Sequence, residues 1–435
     1  MLNSSTSAAN SRRDFILNVS AATIGTALIA GSSAAEDVEK PLVVGVMGLS
    51  RGRELAREFS LHPNVRIKYL CDTDQVRVDS ALQGWKAETV PKPIATKTWT
   101  DILDDDEVDI LICAAPNHWH GPATILACAA GKHVYVEKPC SHNPQEGFWM
   151  IDAAKRHKRC VQVGTQRRSS PKTREAIKKL HDGVIGRVYQ ARAYYNNQRG
   201  PIGRAEPTEP PDTLLYDLWQ GPAPRVPFRS NVVHYNWHWF WHWGGGELAN
   251  NGVHLLDICR WGLGVSLPEA VVSGGGRYAY QDDQETPDTQ TVAWDFADRR
   301  QITWQALSCN KHGSAFIEFY GDNGSMEVDG DGGYKIYGRD NKLTEEASGS
   351  GVGQLEHVKN FLEAVRADDA SLLNCSIEIA NPSTMLCHYG NISQRTGLRV
   401  TIDPQTGHIN GESPSELWQR AYADGWLDKL KAAIG

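Results

Sequence analysis

Between residues 41 and 165, five short and almost uniformly apolar runs recur, each separated from the next by a more polar stretch. They are LVVGVMG (42–48), VRIKYLCD (65–72), VDILICAA (108–115), HVYVEKP (133–139) and RCVQVGT (159–165). Strands buried on both faces read in this way, and their alternation with amphipathic segments predicts a parallel α/β sheet with helices on both sides. The clearest of the intervening helices is ATILACAAGK (123–132), with Gly131 placed as a C-cap.

After residue 170 the pattern changes. A helix, KTREAIKKLHDG, is followed by a loop from 198 to 246 rich in Pro, Gly and aromatics. A loop that long is usually functional. The runs VVSGGGRYAY, TQTVAWDF, QITWQALS, SAFIEFYG and SMEVDG then alternate apolar and polar residues, with turn signals such as Asp322-Asn323-Gly324 between them, which predicts an antiparallel meander. Three helical segments, EHVKNFLEAVRADD, EIANPSTMLCHYGNISQRTG and SELWQRAYADGWLDKLKAAI, are expected to cover one face of that sheet.

A length of 435 residues exceeds what one core usually holds, so two domains are expected. The organisation read from the sequence is a targeting segment (1–35), a parallel-sheet domain (40–166), an α+β domain with a large, mainly antiparallel open sheet (167–400) and a C-terminal extension with a helix (401–435). An open sheet with one uncovered face predicts a homo-oligomer formed through that sheet.

The first 35 residues carry a twin-arginine box, Ser11-Arg12-Arg13-Asp14-Phe15-Ile16-Leu17, followed by NVSAATIGTALIAG and the small-residue stretch Ser32-Ser33-Ala34-Ala35. Export to the periplasm or beyond by the twin-arginine route is the reading, with an uncleaved anchor or a cytosolic leader as alternatives. No stable membrane insertion is expected after processing. That route carries proteins already folded, so a tightly held cofactor is expected. Nine cysteines, an odd number mostly set in apolar runs, read as buried free thiols. A net charge of -7 excludes the basic footprint of a nucleic-acid binder.

Candidate chemistry begins where the first strand runs into Gly45-Val46-Met47-Gly48-Leu49-Ser50-Arg51-Gly52. Glycines at such a strand-to-helix turn let the backbone approach a pyrophosphate at a helix N-terminus. The spacing departs from G-x-G-x-x-G, since Ser50 stands where a glycine is usual, and an ordinary glycine-rich turn is the alternative. Asp72, ending the second strand, is placed to accept hydrogen bonds from ribose hydroxyls and to repel a 2'-phosphate, so NAD is favoured over NADP.

The motif Val136-Glu137-Lys138-Pro139, with APNHWH (115–120), the WQGPAPR loop and GGGELANNGVHLLD (244–257), resembles the glucose-fructose oxidoreductase, inositol dehydrogenase and MocA (Gfo/Idh/MocA) family. The resemblance covers nearly all of the chain beyond the targeting segment. It implies a Rossmann domain followed by an α+β domain, hydride transfer between NAD and a ring carbon of a sugar or cyclitol, and Lys138 beside nicotinamide and substrate as the catalytic lysine. It also allows a cis Lys138–Pro139 bond. A lysine suits the task because an alcohol must lose a proton as hydride leaves carbon.

His254 is the second catalytic candidate, and histidine suits a base near neutral pH. The family's Asp-x-x-x-His is incomplete here: Asn250 replaces the aspartate, and can bond a sugar hydroxyl or orient His254 but cannot act as a carboxylate. Asp257 either orients His254 or pairs within its helix. The expected cofactor contacts are Gly45, Gly48, Ser50, Arg51, Gly52, Asp72, Pro116, Asn117, His120, Glu137 and Lys138. The expected substrate contacts are His118, Trp119, Lys138, Trp237, His238, Asn250 and His254. The segment Tyr235–Trp243 reads either as an aromatic platform for a sugar or as an interface core. Within it His234, His238 and His242 recur at spacing four, but Gly244-Gly245-Gly246 argues against the helix that would align them, and no metal is expected. Two further readings stay open: an NAD-dependent glycosidase working by transient oxidation and elimination, and a carbohydrate-binding protein without catalysis.

Overall fold

The apolar runs of the first third become a six-stranded parallel sheet: β1 (Leu42–Met47), β2 (Val65–Cys71), β3 (Ile94–Thr96), β4 (Ile110–Cys113), β5 (His133–Val136) and β6 (Val161–Val163). The computed structural model describes residues 40–85, 91–411 and 415–435, so the twin-arginine segment lies outside the described residues. The spatial order is β3-β2-β1-β4-β5-β6, the doubly wound arrangement whose strand order reverses between β1 and β4. Ligands bind such sheets in the crevice at that reversal. The central strands are uniformly apolar because they are covered on both sides. Val44, Val46, Ile110 and Ile112 point to one core, and Leu111, Cys113, Val134 and Val136 to another.

β3 escaped the sequence reading because it is a three-residue edge strand with two exposed residues, so it carries no continuous apolar signal. The helix after the glycine turn starts at Arg51 rather than near Arg53. The helix expected at 123–132 starts six residues earlier, at Asn117, so the NHWH of APNHWH forms its first turn. Pro122 stands inside that helix, past its first turn, and so forgoes one main-chain hydrogen bond to the preceding turn.

The remaining strands are β7 (Val188–Gln198), β8 (Ala270–Gly276), β9 (Thr289–Phe296), β10 (Arg300–Leu307), β11 (Cys309–Asn310), β12 (Ile317–Gly321), β13 (Gly324–Val328), β14 (Tyr334–Gly338), β15 (Leu343–Ala347) and β16 (Val400–Thr401). They form the order β15-β14-β13-β12-β7-β10-β9-β8-β16, with β11 attached to β7. All pairs are antiparallel except β7 with β10. β9 shows the alternation clearly: Gln290, Val292, Trp294 and Phe296 are buried, while Thr291 on the opposite face is exposed. β7 was missed because its inward residues include the small Ala191 and Ala193 rather than large apolar side chains.

Of the three helical segments expected to cover this sheet, Ile377–Thr396 does so, together with Val253–Leu263, and the third adds only Leu417 and Trp418 at the edge of that core. Gln354–Arg366 returns to the first domain, where Phe361 meets Phe59 and Tyr135 edge-on. The C-terminal helix Trp426–Ile434 likewise buries Leu430 and Ala433 in the core beneath the helix Asn117–Ala129. Amphipathicity marks a buried face but not which sheet it meets. All nine cysteines are free, and only Cys309 is not fully buried.

Candidate active site

A cavity of about 400 Å³ opens at the C-terminal ends of β1, β2, β4 and β5, between the two domains. Its floor is the glycine turn. Gly48 has φ +88, and a Cβ there would stand 2.6 Å from the Ala114 carbonyl oxygen, so this turn requires glycine. Gly48, Ser50 and Arg51 line the cavity, whereas Gly45 and Gly52 do not. A Cβ on Gly45 would fall 2.4 Å from Ile102 and one on Gly52 2.9 Å from Val46. These two glycines let the sheet and its helices pack closely behind the turn. Ser50, at the N-cap of Arg51–Ser60, makes no side-chain cap, which leaves first-turn N–H groups for an anion.

Asp72 also lines the cavity. Its carboxylate accepts the Leu49 N–H at 2.8 Å and the Asp74 N–H at 3.1 Å, which binds the end of β2 to the glycine turn. Removal from water pushes its pKa up despite these bonds. Arg77 and Lys97 lie nearby on the cavity wall; neither belongs to a motif, so the sequence carried no sign of them.

The first turn of Asn117–Ala129 divides its side chains. Pro116, Asn117, Trp119 and His120 line the cavity. His118 does not: it is fully buried between Trp219 and Trp243, with Nε2 2.9 Å from the Trp219 carbonyl oxygen. The expectation that His118 touches substrate is thus corrected by the helical twist of the segment, which turns it into the aromatic loop. His120 places its two ring nitrogens 2.6 Å from the Pro139 oxygen and 2.8 Å from the Ala115 oxygen, fastening the segment after β5 to the end of β4.

The peptide bond between Lys138 and Pro139 is cis. Lys138 is half-buried and donates from Nζ to the Asn250 carbonyl oxygen at 2.9 Å and to Asn250 Oδ1 at 3.2 Å. Burial is the main cause holding its pKa below the ordinary lysine range, against the charges of Glu137 and Glu247. Glu137 pairs with Arg51 Nε at 3.2 Å and so joins the lysine motif to the glycine-turn helix. Asn250 is buried and does not line the cavity; it grips the lysine, where a substrate contact was expected.

Asn250 lies in a π-helical turn, Leu248–Gly252, that runs directly into Val253–Leu263. Such widened turns are common at functional sites. His254 follows it, lines the cavity, and has a buried Nδ1 without a hydrogen-bond partner. Burial, reinforced by the Lys138, Arg167 and Arg51 charges, pushes its pKa well down, so the ring is neutral. Asp257 does not bond His254; it pairs within its helix only loosely, with Arg260 at 3.8 Å, and more closely outside it. It takes Arg168 Nε at 2.7 Å and Nη2 at 2.9 Å and accepts from Ser383 at 2.6 Å.

The long loop divides between a core of its own and the cavity wall. It carries its own core, including Tyr216, Trp219, Phe228, Phe240 and Trp243, while Tyr235, Trp237 and His238 face the cavity. Trp237 stacks on His238 at 3.6 Å, and burial drives the His238 pKa down to about 3. The histidines at spacing four diverge: His234 meets Asp74, His238 the Tyr235 oxygen, and His242 the Pro224 oxygen.

The model of the oxidoreductase family's NAD-binding Rossmann fold matches residues 40–165, and that of its C-terminal alpha/beta domain matches residues 201–427. The chain belongs to the Gfo/Idh/MocA oxidoreductase family. Within it, a glycosyl hydrolase family 109 protein of Shewanella pealeana is 32% identical over 28% of this chain and 28% of that protein. One from Shewanella baltica is 29% identical over 42% of this chain and 45% of its own length. The matched segments thus span less than half of those curated relatives. The fold is shared with levoglucosan dehydrogenase in complex with NADH and levoglucosan (TM-score 0.65, 19% identity, 83% of this chain and 99% of that one). It is also shared with aldose-aldose oxidoreductase of Caulobacter crescentus (TM-score 0.63, 19% identity, 83% and 100%).

Proposed function

We propose that this chain is an NAD-dependent oxidoreductase that moves a hydride between nicotinamide and a ring carbon of a sugar or cyclitol. The observation that carries the reading is the Lys138 nitrogen, anchored twice by Asn250 at the cavity between Asp72 and the aromatic loop. The pocket fits the cofactor on its own chemistry: a cradle at Gly48 that a Cβ would fill, uncapped N–H groups at Ser50, and an acceptor at Asp72. The Gly48–Arg51 turn would hold the pyrophosphate and Asp72 the ribose hydroxyls, with NADP disfavoured by the carboxylate. When bound, nicotinamide accepts the hydride from carbon and can return it.

Proton handling falls to the protein. An ammonium has three N–H groups, and Asn250 takes two from Lys138, leaving the third position for a substrate hydroxyl. Losing that proton keeps both anchors in place. A lowered pKa brings the amine toward the range where a base works. His254, neutral and with an unpartnered Nδ1, can bond the same or an adjacent hydroxyl. Trp119 and Trp237 offer apolar faces to the ring.

A second reading, a glycosidase that oxidises a ring carbon, eliminates the aglycone from its neighbour and then restores the hydride, has its own support. The loop is stitched across the Asp72 turn by Gln75 N–H to the Thr213 oxygen at 3.0 Å, Leu215 N–H to the Thr73 oxygen at 2.9 Å, and His234 to Asp74 at 2.7 Å. A nucleotide beneath that strap exchanges slowly, which suits a cycle that returns its hydride. The curated relatives named as glycosyl hydrolases favour the same chemistry. Export by the twin-arginine route, which removes the protein from cytoplasmic NAD, and assembly through the open face of the second sheet complete the proposal.

The test is to purify the protein, release and identify its nucleotide, and incubate it with glucose, myo-inositol and p-nitrophenyl glycosides. Net NADH formation or paired oxidation and reduction of sugars supports the first reading. Aglycone release without net redox change selects the second. Sugar binding with neither outcome leaves a carbohydrate-binding protein and overturns both.

A further inference from the structure

The acid expected four residues before His254 is missing, because Asn250 stands there. A buried carboxylate occurs one turn earlier. Glu247 is 2% exposed at the start of the π-helical turn that presents Asn250. Its Oε2 accepts Arg199 Nε at 2.7 Å, and its Oε1 accepts the side-chain amide of Asn251, the neighbour of Asn250. Arg199 in turn stacks over Trp239 at 4.6 Å and donates to the Tyr235 hydroxyl at 2.9 Å, and Tyr235 lines the cavity.

We propose that Glu247 is the positioning carboxylate of this site: it fixes the π-helical turn whose Asn250 oxygens hold Lys138, and it supplies the negative charge that Asn250 does not. Sequence comparison with Asp-x-x-x-His points at position 250, whereas the acid stands at position 247. The inference rests on the reading of Lys138 as the proton carrier.

The charges around Lys138 can be named from every side. Glu137, next to it in the chain, is drawn to Arg51 at 3.2 Å. Glu247 is the other carboxylate acting on the lysine, and Arg51 and Arg199 are the opposing cations. The neighbouring imidazoles of His120, His238 and His254 are kept neutral by burial, as is the thiol of Cys387. Removing the Glu247 charge therefore leaves Lys138 facing two cations and one carboxylate already shared with Arg51. Its pKa must fall.

Competitive acetylation with acetic anhydride, followed by peptide mass spectrometry from neutral to strongly alkaline pH, reads the Lys138 midpoint without needing a substrate. In Glu247→Gln the midpoint falls by about one pH unit relative to wild type. In Glu247→Asp, which keeps the charge, it stays within about 0.3 units. An unchanged or raised midpoint in Glu247→Gln overturns the proposal, and so does an equal fall in Glu247→Asp, which makes the effect one of packing. If Glu247→Gln does not fold, Glu247→Gln/Arg199→Met, which removes the buried pair together, is read against Arg199→Met: a midpoint about one unit lower in the double variant is expected, and equal midpoints overturn the proposal. The parent reading fails separately, through full turnover of a Lys138→Ala variant on the sugar panel.

Discussion

Lys138 Nζ lies 2.9 Å from the carbonyl oxygen of Asn250 and 3.2 Å from its side-chain oxygen, so one residue of the second domain grips the lysine of the first with two neutral acceptors. A neutral partner leaves the lysine free to titrate. Replacing Asn250 by Asp puts a carboxylate against the ammonium and raises the Lys138 pKa. The rate of alcohol oxidation, which needs the free amine, then shifts to higher pH, and turnover at neutral pH falls by about 10- to 100-fold. A pH–rate profile of Asn250→Asp checks this.

The wild-type profile has a fixed sign. Because burial holds the Lys138 pKa below the ordinary lysine range, oxidation rises with pH and levels off before that range is reached. A rise that continues through the ordinary lysine value of about 10.4 contradicts the assignment.

Gly48 and Asp72 make separable predictions about the cofactor. Gly48→Ala forces a Cβ against the Ala114 carbonyl at a backbone angle that L side chains avoid, so nucleotide retention is lost and stability falls by about 1–3 kcal/mol. Asp72→Ala adds no clash in the turn, but it removes the ribose acceptor together with the two bonds that hold the Leu49 and Asp74 N–H groups. NAD affinity falls about 10- to 100-fold, measured by fluorescence titration, and preference over NADP narrows with Arg77 nearby.

Asp257 is a matter of stability rather than chemistry. Asp257→Asn leaves Arg168 buried without its bidentate partner and costs about 3–5 kcal/mol in a denaturation experiment. The Arg168 charge holds the Asp257 pKa down against burial. The pair's contribution is therefore complete above the unfolded aspartate value of about 3.9 and is lost as pH falls from there through the lower folded value.

What the sequence disclosed follows from how local each signal is. The parallel sheet was legible because its strands are apolar on both faces, and Lys138, Asp72 and Gly48 because each ends such a strand. APNHWH reads as a turn in the sequence, and only its helical twist separates His118 from Trp119 and His120. Gly45 and Gly52 belong to the glycine motif yet serve packing, a distinction that depends on Ile102 and Val46. Glu247, Arg199 and Arg77 were invisible because their roles arise from contacts between distant segments.

Whether Lys138 carries the proton of a hydride transfer is decided by Lys138→Ala, with nucleotide retention and turnover measured on the same preparation. Nucleotide content stays unchanged, and turnover on the sugar and glycoside panel falls by about 100- to 10,000-fold. Wild-type turnover in that variant, with its nucleotide in place, contradicts it.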